Sequence, residues 1–85
     1  MTAKEAYALI TSKYPTMRVA SCCEYDSVFV FQLAPISATN PTRLLTGLTS
    51  VNKKSGVVRT FKPTDIPFGE YQRGRKIPAS VYGGD

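Results

Sequence analysis

The segment Val28-Phe29-Val30-Phe31-Gln32-Leu33 constrains the fold more than any other part of this chain. β-Branched and aromatic residues fill it, as they fill strands, and successive side chains on a strand point to opposite faces. Both faces are therefore apolar, which predicts a central strand with Phe29, Phe31 and Leu33 turned towards a helix. Pro35 closes it, because proline has no amide to give to a ladder. The run falls well short of the roughly 20 apolar residues a membrane span needs, so no membrane association is expected.

The helix comes first in the sequence. Thr2 and Glu5 have the spacing of a capping box, in which the hydroxyl accepts one end amide and the carboxylate reaches back to another. Behind them Ala3, Ala6, Tyr7, Ile10 and Tyr14 recur at helical spacing. Pro15 ends the pattern, so the helix is expected over residues 3–14.

Met17 to Glu24 then alternates with period two. Met17, Val19, Ser21 and Cys23 are expected on one face, with Arg18, Ala20, Cys22 and Glu24 on the other. Glu24-Tyr25-Asp26-Ser27 reads as a turn, and 36–42 as a loop. Leu44 to Val51 is a third expected strand, weakened at Gly47, a site for a bulge or a close backbone approach. Asn52-Lys53-Lys54-Ser55-Gly56 is a hairpin loop with Gly56 free to take positive φ at the return. Val57 to Phe61 completes the set. The expected architecture is α+β, one N-terminal helix packed on a four-stranded antiparallel sheet (αββββ).

Residues 1–63 thus form the expected domain, and 64–85 an irregular, basic C-terminal segment. Pro67, Gly69, Gly74, Pro78, Gly83 and Gly84 interrupt every long pattern there. Asp65 is a candidate cap for a short helical turn that would begin with Ile66 and Pro67. Ile66, Phe68, Tyr71, Ile77, Val81 and Tyr82 are too apolar for a free linker. The segment is expected to pack partly on the domain, with its last residues mobile. One helix leaves the far face of the sheet open, with Val28, Val30, Arg18, Ala20 and Cys22 as its candidates. Either the 64–82 segment covers that face or a partner does.

Composition excludes much chemistry. The chain of 85 residues has no histidine, which removes the commonest general base and any Ser-His or Cys-His pair. Cys22 and Cys23 are adjacent, a poor geometry for a disulfide, and two thiols do not make a zinc site. One buried and one partly exposed thiol in a reducing compartment is the expectation. Gly69 and Gly74 lack the Lys-Ser/Thr pair of a phosphate loop. Glu24 and Asp26 beside Tyr25 read as solvated turn acids. No enzyme activity, metal or cofactor is expected. No signal-peptide layout is visible, so a cytoplasmic setting is expected.

Charge is the remaining signal. Eleven Lys/Arg against six Asp/Glu give a net charge of +5, with most of the excess after residue 51. Arg73, Arg75 and Lys76 are candidates for an anionic surface, and Lys53 and Lys54 for contacts at an exposed loop tip. With Tyr71 and Tyr82 nearby, the cluster mixes cations and aromatics as single-strand nucleic-acid surfaces do. A solvated tail or an acidic protein partner explains it equally well.

The helix 3–14, the turn Glu24-Tyr25-Asp26-Ser27 and the stretch Ser50-Val51-Asn52-Lys53-Lys54-Ser55-Gly56-Val57-Val58 resemble PepSY-like and immunity-type small domains. Together with Asp65-Ile66-Pro67, their order is more closely similar to that in short proteins encoded by phages and prophages of Gram-positive bacteria, over about residues 3–76. That resemblance implies a virion- or prophage-associated protein and carries no catalytic or ligand residues. The expected function is non-enzymatic, through contacts with a phage structural protein or a second copy. The alternatives are a nucleic-acid-associated accessory protein using Arg73, Arg75 and Lys76, or a small inhibitor or immunity protein.

Overall fold

The computed structural model describes residues 1–35 and 48–83. It is an α+β fold: helix α1 (Ala3–Lys13), strands β1 (Met17–Glu24), β2 (Val28–Pro35), β3 (Leu48–Asn52) and β4 (Val58–Thr60), and a 3-10 turn (Pro63–Asp65). Helix α2 (Phe68–Gln72), strand β5 (Arg75–Ile77) and helix α3 (Ala79–Tyr82) complete it. The expected loop at 36–42, the start of the third strand and the bulge or close backbone approach at Gly47 lie outside the described residues.

Among the described residues the sheet has five antiparallel strands in the order β4-β3-β2-β1-β5. The expectation of four strands and an irregular C-terminal segment is corrected here. Arg75-Lys76-Ile77 is too short and too charged to read as a strand, but it pairs with Cys22–Glu24 along the free edge of β1. Asp65 also caps differently from expected. Its carboxylate accepts from the Lys62 amide at 2.9 Å, and α2 begins only at Phe68, after Pro67.

The N-terminal helix forms as its caps dictate. The Thr2 hydroxyl accepts from the Glu5 amide at 3.2 Å, and the Glu5 carboxylate accepts from the Thr2 amide at 2.9 Å. That hydrogen bond from the Thr2 backbone holds the Glu5 carboxyl below its usual range. Ala3, Ala6 and Ile10 are buried against Phe29, Phe31, Leu33, Cys22 and Val51 on one sheet face. Tyr82 of α3 closes this core, 5.3 Å from the ring of Tyr7 and edge-on to Phe31 at 6.1 Å.

A bulge in β1 changes the expected alternation. Val19 faces Leu33 and Ser21 faces Gln32, so Ala20 is the extra residue. Met17 and Val19 therefore share the helix-facing side with Cys22, not with Ser21 and Cys23. Cys22 is fully buried in the main core, which corrects its placement on the open face. Arg18 and Ala20 are exposed.

Part of the far face is covered by the chain itself. Val28 and Val30 are buried beneath Phe61 and Ile66, with Tyr25 and Leu48 packed alongside. Tyr25 stacks on Phe61 at 5.9 Å and meets Tyr71 of α2 edge-on at 5.6 Å. A small second core thus lies between the sheet and the 61–71 segment.

Candidate functional site

The hairpin predicted at Asn52–Gly56 is held by its own asparagine. The Asn52 side-chain oxygen accepts from the amides of Lys54 (2.8 Å) and Ser55 (3.0 Å), and Gly56 takes φ +72°. Lys53 leaves this turn towards β1. Its ammonium sits 2.8 Å from Glu24 Oε2 and 4.9 Å from the centre of the Phe29 ring.

Glu24 is the centre of a charged cluster. Arg75 on β5 reaches its Oε1 through Nε (3.1 Å) and Nη2 (2.8 Å). Lys53 and then Arg75, both donating to it, hold the Glu24 carboxyl below the usual carboxylate range. Arg73 donates to Asp26 at 2.6 Å, and that bond raises the already high guanidinium pKa. Together with Tyr25 these groups line a hollow of about 330 Å³.

Three of the predicted contact residues, Lys53, Arg73 and Arg75, are therefore brought together, each facing a carboxylate of the β1–β2 turn. Glu24 and Asp26 are not simply solvated. Lys54 stands exposed at the hairpin tip, and Lys76 is exposed opposite Cys23 on the other sheet face. The cluster offers an incoming anion cations that are already engaged.

The sequence reading missed Glu70. Its buried carboxylate accepts from the Ser27 amide at 2.9 Å and the Ser27 hydroxyl at 2.6 Å. It ties α2 to the β1–β2 turn. Its position three residues after Pro67, in the first turn of a helix, was the available signal.

The tie leaves the opposite side of α2 in solvent. Phe68 is 72% exposed and Tyr71 38% exposed. With Thr64 and Ile66 they line a largely apolar cleft of about 430 Å³. Among the described residues no cluster of His, Cys, Asp or Glu could hold a metal ion, and no helix is long and apolar enough to cross a membrane. The Cys22 thiol is pushed up to about 12 by burial, which removes it as a nucleophile.

No family model matches the chain, and neither the curated proteins nor the solved structures include a significant match to it.

Proposed function

We propose that this chain is a non-enzymatic protein of phage or prophage origin that acts through protein–protein contacts, and that the cleft around Phe68 is its contact surface. The observation that carries the proposal is Phe68, a large apolar side chain left 72% exposed beside that cleft. Clustered exposed apolar area marks interaction surfaces, and aromatic residues are enriched at interface centres. The resemblance of the helix, turn and hairpin order supports the phage setting, and with it a place in the bacterial cytoplasm or the virion. The nucleic-acid alternative through Arg73, Arg75 and Lys76 is less well supported, because Asp26 and Glu24 already engage the two arginines.

Capture from a lysate of a phage-carrying Gram-positive host tests this reading, with the wild-type chain and Phe68→Ser immobilised side by side. A phage structural protein enriched on the wild type should fall about tenfold on the variant, the loss expected of an anchoring aromatic. Retention of nucleic acid with no structural protein would sink the proposal, as would equal capture by both chains.

A further inference from the structure

The distribution of charge around the second core narrows the chemistry of the partner. Each described carboxylate is engaged within the chain. Glu5 caps α1, Glu24 and Asp26 hold Lys53, Arg75 and Arg73, Asp65 accepts from Lys62, and Glu70 accepts from Ser27. Arg18, Arg59 and Lys76 are exposed and have no carboxylate partner among the described residues. Only Glu24 and Asp26 are neutralised by ion pairs, while Glu5, Asp65 and Glu70 are held by neutral donors and keep their charge; the balance of the chain is +5.

Two of these cations stand on the sheet face that the 61–71 segment partly covers. Strand pairing aligns Arg59, Ser50, Val30, Cys23 and Lys76 in one row across the sheet, on the face away from α1. Arg59 stands at the β4 edge and Lys76 at the β5 edge, four strand spacings or roughly 19 Å apart. Val30, midway along the row, is buried in one cluster with Ile66 and Phe61, and Ile66 is also a wall of the cleft. The segment that lines the apolar hollow thus shares its buried cluster with the middle of a row that ends in a cation on each side.

We propose that the cleft receives an extended acidic segment of another protein, with an aromatic or leucine side chain beside Phe68 and Tyr71 and its carboxylates towards Arg59 and Lys76. An extended chain rises about 3.3 Å per residue, so roughly six residues span the row. The occupant is not a second copy of this chain, which would bring the same +5 charge to Arg59 and Lys76. This inference rests on the cleft being the contact surface and adds the charge of what enters it.

Selection of a random 12-residue peptide library on the immobilised full-length chain tests it, with a 15-mer of deoxythymidine assayed in parallel. Recovered peptides should carry Asp or Glu on both sides of an aromatic or leucine. They should lose about tenfold in affinity on Phe68→Ser. Between low and moderate salt, binding should weaken for wild type and much less for the double variant Arg59→Gln/Lys76→Gln. Recovered peptides without acidic enrichment would overturn this inference while leaving the cleft as contact surface. Peptides insensitive to Phe68→Ser would overturn both. Recovery of no peptide also overturns the inference, and oligonucleotide binding in its place would assign the cations to phosphate.

Discussion

A Cβ on Gly74 would overlap the ring of Tyr25, and moving that ring would disturb its neighbours. It is held between Phe61 and Tyr71, so the smallest substitution must push apart an aromatic stack. Gly74→Ala should cost about 1–3 kcal/mol, the usual range for overpacking, read as a lower midpoint in urea unfolding. The thiols give a second test at this scale. Cys22 is fully buried with its pKa raised to about 12, whereas Cys23 is half-buried. Iodoacetamide on the native chain should therefore label Cys23 alone, and both thiols only after unfolding, as counted by intact mass. The sequence anticipated one buried and one partly exposed thiol but not which was which. The period-two pattern of β1 runs through Ala20 without a mark, and only the pairing with β2 reveals the bulge that turns Cys22 inwards.

Elements that rest on local signals were legible: the capped helix, β1, the β-branched run of β2 and the Asn52–Gly56 hairpin. Strand β5 was not, because Arg75-Lys76-Ile77 becomes a strand only by finding the edge of β1. The basic cluster was visible as composition, while its neutralisation was not, since Arg73–Asp26 and Arg75–Glu24 join residues 47 and 51 positions apart. Glu24 links the hairpin to β5, and its lowered pKa ties stability to pH. That contribution is complete above the unfolded carboxylate value of about 4.3 and is lost as pH falls through the lower folded one. Glu24→Gln should therefore flatten the loss of thermal stability on acidification, measured as melting temperature against pH. Glu70→Ala removes both bonds to Ser27 and should cost about 1–2 kcal/mol. Amide exchange should accelerate in residues 66–74 while α1 stays protected.

At the scale of the molecule, residues after 63 supply β5 at the sheet edge, Tyr82 to the main core and Ile66 to the second one. Of the two sequence-based ways to close the far sheet face, the chain uses its own 61–71 segment over Val28 and Val30. Covering that face moves the exposed apolar surface outward, from the sheet onto Phe68 and Tyr71. That displacement is why the candidate contact site was only partly legible. Phe68 read as packing material, and its exposure follows from Glu70 turning the other side of α2 inwards. The most direct test of this surface is an amide NMR titration of the full-length chain with its captured partner or with a selected peptide. Chemical-shift changes centred on residues 64–71, with weaker ones at Arg59 and Lys76, are the predicted result. Changes centred on Lys53–Lys54 or on α1, with 64–71 unmoved, would contradict it.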